Sequence, residues 1–197
     1  MNQQLLSGLI AYAFVTSITP GPNNLMLMTS GANFGFRRTF PHMMGVSLGF
    51  VLMAVVLGAG LVQLFTLYPA SFTVLKILSV VYMAWLAWKI ANAAAPNPVR
   101  GTGQPITFLQ ACAFQWVNPK AVAMALTALT NYAPDHSFFA NLLVAVIFGA
   151  VNLPSVSSWV LVGQQIQRWL TNPARLRLFN ITMALLLLAS LYPVLRA

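Results

Sequence analysis

The chain has 197 residues, of which 59% are hydrophobic and 6% charged, with a mean hydropathy of +0.78 and a formal net charge of +9. Soluble domains carry about one quarter charged residues, so this composition describes a membrane protein. One acid, two His and one Cys exclude a carboxylate pair, a metal cluster, a nucleophilic triad and a paired-thiol electron carrier, and with them most enzyme classes and cofactor centres.

The ten Lys and Arg never exceed two in a row, which argues for setting membrane orientation and against binding nucleic acid. A helix crossing ~30 Å of hydrocarbon needs about 20 mostly apolar residues, and six such stretches are present. The first runs from Leu5 to Thr29. It lacks the basic leader of a secretory signal and exceeds the usual apolar length, so it reads as a retained helix. Within it lies Thr19-Pro20-Gly21-Pro22-Asn23-Asn24. Two prolines flanking a glycine remove backbone donors and predict a break in the helix. Inside a bilayer a break persists only when buried in protein or lining a wet cavity. Pro22 suits the first turn of a restarted half-helix, whose free amides and positive end can hold a carboxylate. A kink whose polar residues pack against other helices is the plainer alternative.

The second span, Pro41 to Phe65, carries Gly45, Gly49, Gly58 and Gly60, a small-residue face for close helix contact. His42, at its cytoplasmic end, is the side chain best suited to titrate near neutrality, set against the simpler reading of an interfacial histidine. The third span, Phe72 to Asn92, ends in Trp85, Trp88 and Lys89, which read as interface anchors. A polar connector, Ala95 to Gln104, then marks the midpoint of the chain.

The fourth span, Ile106 to Thr130, contains Gln115-Trp116-Val117-Asn118-Pro119-Lys120, a second predicted break. Lys120 lies about 20 Å into the span, where a cation is expensive. It has two possible roles: holding the carboxylate of a substrate, or capping carbonyls freed at the break. Asp135 follows as a solvated charge in an outer loop. The fifth span, Phe138 to Gln164, has a third polar interruption, Asn152-Leu153-Pro154-Ser155, with Ser157 and Ser158; it either lines the same cavity or is a proline kink. The sixth runs from Arg175 to Val194.

By the positive-inside rule, the loops with Arg37, Arg38, Lys89, Arg100, Arg168, Arg175 and Arg177 are cytoplasmic. Lys76, Arg196 and Asp135 are then external, as are both termini. Three spans per half is an odd number, so homologous halves, residues 1–98 and 99–197, must be inverted repeats. Thr19-Pro20 and Asn118-Pro119, 99 residues apart, are the sequence support for that relation.

Several of these stretches together resemble the LysE/RhtB superfamily of bacterial amino-acid exporters: Thr19 to Asn24, Gly35-Phe36-Arg37, Gly45 to Phe50, Tyr82 to Lys89, and Gln115 to Lys120. The order and spacing match up to about residue 131. The doubled Asn and the Trp85 to Lys89 run look most like its cysteine and O-acetylserine exporter branch. The resemblance implies an all-α membrane domain of six helices, broken in the first and fourth. It also implies proton-coupled export of a small amino acid across a bacterial inner membrane, with Pro20, Gly21, Pro22, Asn118, Pro119 and Lys120 in the transport core. Unlike some relatives, this chain has no acid within its spans, which argues against a carboxylate proton site and against cationic substrates.

From the residues themselves, a cavity lined by Thr19, Asn23, Asn24, Gln115, Asn118 and Asn152 offers neutral hydrogen bonds and no anion, which suits small neutral amino acids. Cysteine, O-acetylserine, serine, threonine and homoserine are the candidates. A passive channel for small polar solutes is the competing class, and a homo-oligomer is compatible with everything above.

Overall fold

The structure, a computed structural model, describes residues 1–61, 69–93, 104–133, 135 and 137–192. Seven α-helices account for nearly all of them: α1 (Gln3–Ile18), α2 (Pro22–Val56), α3 (Pro69–Ala91), α4 (Phe108–Val117), α5 (Pro119–Tyr132), α6 (Phe138–Gln167) and α7 (Pro173–Ala189). A short π-helical turn, Leu57–Leu61, extends α2. Polar side chains start the helices that begin outside the apolar blocks. Asn2 caps α1, Thr107 and Gln110 form a reciprocal capping box on α4, Ser137 caps α6 and Asn172 caps α7. Each satisfies amides that the first helical turn leaves without partners.

The helix α2 is folded back on itself. Ser30 and Thr39 hydroxyls lie 2.9 Å apart, whereas nine residues along a straight helix would separate them by about 13.5 Å. The reversal is made by Gly35, whose φ of 74° is open to glycine at little cost, and Thr39 hydroxyl then donates to Gly35 O at 2.8 Å. The sequence predicted a loop around Arg37 and Arg38 and a second span from Pro41. Instead the second limb is already helical there, with both arginines exposed and Pro41 inside the helix. One residue of unusual backbone conformation replaced a loop, which hydropathy has no means of registering.

Among the described residues two helices, the folded α2 with its π turn and α6, are long and apolar enough to cross a membrane. Most of the other predicted ends fall within a few residues of the observed helices. Phe65, Arg100, Val194, Arg196 and nearly all of the midpoint connector lie outside the described residues.

Packing divides the interior into two apolar clusters. One holds Met26, Leu27, Met43, Val46, Phe114, Val156 and Val160; the other holds Leu9, Ala13, Phe50, Met53, Ala121, Ala125, Val144 and Phe148. Following any of four chain segments from one cluster to the other crosses a buried polar residue. These are Ser17 at the end of α1, Ser47 in the second limb of α2, Gln115 at the end of α4 with Asn118 just after it, and Asn152 in α6. A polar layer therefore sits between two apolar layers. A neutral amide or hydroxyl survives there only with hydrogen-bond partners, and most of these residues find them in one another.

Close packing around this layer depends on small residues. A Cβ added at Gly49 would lie 2.7 Å from Cys112 Cα, and one at Gly45 2.7 Å from Ala111 Cβ, so the second limb of α2 lies directly on α4. Gly58 similarly admits Asn141. Gly60 does not belong to that face: with φ 116° and nothing near its missing Cβ, it serves a turn. Gly31 and Gly163, which the sequence reading passed over, admit the backbones of α6 and α2 to each other.

His42 is not interfacial. It is fully buried, and neither ring nitrogen has a hydrogen-bond partner. Trp85 and Trp88 are exposed, as interface anchors require, while Lys89 turns inward to donate to Gln110 Oε1 at 2.8 Å. Asp135 is exposed and accepts from the Ser137 hydroxyl at 3.0 Å.

Candidate functional site

The two predicted breaks occur, and they meet. α1 ends at Ile18; Thr19, Pro20 and Gly21 are non-helical, Thr19 and Gly21 in extended conformation, before Pro22 restarts the helix. α4 ends at Val117, Asn118 alone leaves the helix (φ −91°, ψ 105°), and Pro119 restarts it. Pro22 and Pro119 both occupy first-turn positions, where a missing N–H removes nothing from the helix. Pro20, which the sequence set beside Pro119, lies before the restart; it is Pro22 that shares the first-turn position with Pro119.

Hydrogen bonds tie one break to the other. Lys120 Nζ donates to Thr19 O at 2.7 Å and lies 3.4 Å from Pro20 O. Asn23 Nδ2 donates to Gln115 Oε1 at 2.8 Å, and Gln115 Nε2 returns a bond to Asn23 Oδ1 at 3.1 Å. Carbonyls freed at the end of α1 are collected by other side chains: Asn24 Nδ2 reaches Ser17 O and Thr19 O, both at 2.8 Å, and Trp159 Nε1 reaches Ile18 O at 3.1 Å. Asn152 bridges the layer, donating to Ser17 Oγ and accepting from Ser47 Oγ, each at 3.0 Å.

These groups surround a cavity of about 20 Å³ open to the centre of a water molecule. That is room for one or two waters. Of the residues expected from the sequence, Gly21, Asn23, Asn24, Asn118, Lys120 and Asn152 line it. Gln115 stands behind Asn23 and does not reach the cavity wall. Thr19 and Pro20 do not line it; their backbone oxygens face Lys120, which does, and the Thr19 hydroxyl turns away to Val15 O. Pro22 and Pro119 shape the path without lining the cavity.

Pro154 leaves α6 continuous, and Ser157 and Ser158 bond to Leu153 O and Ser155 O of their own helix. Thus only Asn152 of that interruption belongs to the site. The cavity wall also holds Thr16 and Ser17, which the sequence places in the same polar stretch as the first break but not among the expected site residues, and Phe50, Ala121, Met124 and Val156, which it did not single out. These last four carried no signal, since apolar residues fill every span.

The ends of the half-helices give the cavity its electrostatics. No side chain caps the start of α2 or of α5, so both present free amides and positive ends. The end of α1 presents carbonyls. The only acid of the chain, Asp135, is outside the polar layer. The site can therefore offer donors to a carboxylate and backbone acceptors to an ammonium group. It has no carboxylate to hold a second positive charge.

The family model for LysE type translocators matches residues 14–190. The chain is similar to a cysteine/O-acetylserine efflux protein of Escherichia coli O139:H28, with 31% identity covering 95% of this chain and 96% of that protein. It is equally similar, at 31% identity and 95% coverage of both chains, to proteins of the same name from Escherichia coli K12 and Shigella sonnei. No solved structure matches it.

Proposed function

The chain belongs to the LysE type translocator family, and from that premise we propose that it is a secondary transporter exporting small neutral amino acids from the cytoplasm. The cavity between the two helix breaks is the substrate site. One observation carries this reading: the Lys120 ammonium of one break lies 2.7 Å from the Thr19 carbonyl of the other, inside a polar layer that contains no acid. Cysteine and O-acetylserine, named for the relatives, meet that chemistry, as do threonine and homoserine. Lysine and arginine would leave a side-chain charge unpaired at a cost of several kcal/mol.

The protein crosses a bacterial inner membrane six times: α1 with the first limb of α2, the second limb, α3, α4 with α5, α6 and α7. Several features support two inverted repeats. The first crossing passes from the cluster of Leu9 to that of Met26, while the α4 to α5 crossing passes the opposite way; the second limb of α2 and α6 are likewise opposed. Alternating access then consists of movement of one repeat against the other around the polar layer. The proton gradient drives export, and the arginine-bearing ends face the cytoplasm with both termini outside.

Efflux of a labelled amino-acid panel from loaded proteoliposomes, with and without a pH gradient, tests this. The expected result is release of cysteine or O-acetylserine accelerated by the gradient, with lysine and arginine retained. Release indifferent to pH favours a passive channel. Preferential release of lysine or arginine overturns the account of the cavity.

A further inference from the structure

We infer that the Lys120 ammonium occupies the seat of the substrate's α-ammonium group in the unloaded protein, and that the substrate's own ammonium displaces it. The inference rests on the exporter reading above and deepens it.

Lys120 is the second residue of α5, at the positive end of a helix whose amides are uncapped. A cation there is disfavoured. Its ammonium is held instead by the opposite pole of the other break, Thr19 O at 2.7 Å and Pro20 O at 3.4 Å, just past the C-terminal end of α1. With no carboxylate in the layer, an ammonium that enters has to rely on neutral oxygens, backbone carbonyls first among them.

The seat is incompletely filled. Asn118 is 1% exposed, lines the same cavity, and its Oδ1 has no hydrogen-bond partner. An ammonium carries three N–H donors; the acceptors at hand are Thr19 O and Pro20 O, which Lys120 reaches, and the unpartnered Oδ1 of Asn118, a residue lining the same cavity as Lys120. Lys120, tethered to α5, uses two. A free α-ammonium can satisfy the third and so remove the penalty of an orphaned buried acceptor.

Gly21 supports the same assignment. Its φ of −175° is ordinary extended backbone, so glycine is not required there by conformation. Space gives the reason instead: a Cβ at Gly21 would lie 2.8 Å from Lys120 Cδ and 3.1 Å from Nζ, so the flexible end of the lysine would have to move aside. The lysine stem therefore lies across Gly21 to reach its carbonyls. Once displaced, Lys120 and the uncapped amides of α2 and α5 confront the substrate carboxylate. One exchange of ammonium groups thus opens the latch between the two breaks and completes recognition of the zwitterion.

The test compares cysteine with its desamino analogue 3-mercaptopropionate and its decarboxy analogue cysteamine, as competitors of labelled cysteine efflux from proteoliposomes. In the unmodified protein, 3-mercaptopropionate should compete at least about tenfold more weakly than cysteine, because it cannot displace Lys120. With binding of labelled cysteamine as the readout in place of cysteine efflux, cysteamine should bind about tenfold more tightly to Lys120→Met than to the unmodified protein, because its rival for the seat is gone. A lysine that only binds carboxylate, or only braces the fold, predicts no such gain. If Lys120→Met does not assemble, Lys120→Gln carries the same measurement, and the analogue comparison on the unmodified protein stands without either variant. Equal competition by 3-mercaptopropionate and cysteine, or unchanged binding of cysteamine in the variant, would overturn the seat while leaving the exporter reading in place. Absence of cysteine and O-acetylserine efflux from the unmodified protein overturns both.

Discussion

At the first break three residues leave the helix, and at the second only one does. The longer gap exposes a run of carbonyls at the end of α1, and Asn24, Trp159 and Lys120 all converge on it. The shorter gap exposes little backbone; its contribution is made by side chains, the cation of Lys120 and the unpartnered Oδ1 of Asn118. Both restart with a proline in the first turn. A shared device for stopping and restarting a helix thus differs in what it supplies: backbone carbonyls at the first break, the side chains of Lys120 and Asn118 at the second. In a layer without acids, that division lets backbone oxygens do the work of a carboxylate.

The largest effect should come from removing the first break. Pro20→Ala with Pro22→Ala restores two backbone donors, lets α1 and α2 join, and should abolish efflux while membrane abundance is retained. Pro119→Ala should cost less, about tenfold in rate or ~1.4 kcal/mol of barrier, since one residue rather than three is returned to the helix. Efflux normalised to abundance measures both. Equal losses would erase the distinction between the breaks.

A smaller change at the first break is Gly21→Ala. The backbone there accepts any residue, so thermal stability should move by no more than about 0.5 kcal/mol, while transport falls as Lys120 is pushed from its carbonyls. A large drop in melting temperature with unchanged efflux would make Gly21 a folding residue instead.

The reciprocal Asn23 and Gln115 amides join the breaks directly. Asn23→Ala, Gln115→Ala and the double variant should be non-additive in thermal stability by about 1 kcal/mol, because either single change already removes both bonds of the pair and Asn23→Ala leaves the buried Gln115 Oε1 without its partner. Additivity would mean that the breaks are held together elsewhere.

Least should follow from Thr19→Val. The Thr19 hydroxyl bonds within its own helix and only its carbonyl serves the site, so stability within about 0.5 kcal/mol and normal efflux are expected. A severe transport defect would move the Thr19 side chain into the cavity.

The sequence by itself determined that the chain is helical and apolar, where both helix breaks fall, and which neutral amides accompany them. Proline lacks a donor, glycine tolerates extended and left-handed backbone, and a Lys among apolar residues is costly anywhere, so these signals are local and can be read one segment at a time. The tertiary structure alone decided how those segments combine. Nothing near Lys120 in sequence names Thr19 O as its partner, and nothing near Asn23 names Gln115. Nor does local sequence place Phe50, Met124 and Val156 on the cavity wall, bury His42, or turn Ser157 and Ser158 back onto their own helix. Orphaned carbonyls and amides are satisfied by whichever groups the packing of distant helices brings within about 3 Å, and that choice is a property of the assembled fold.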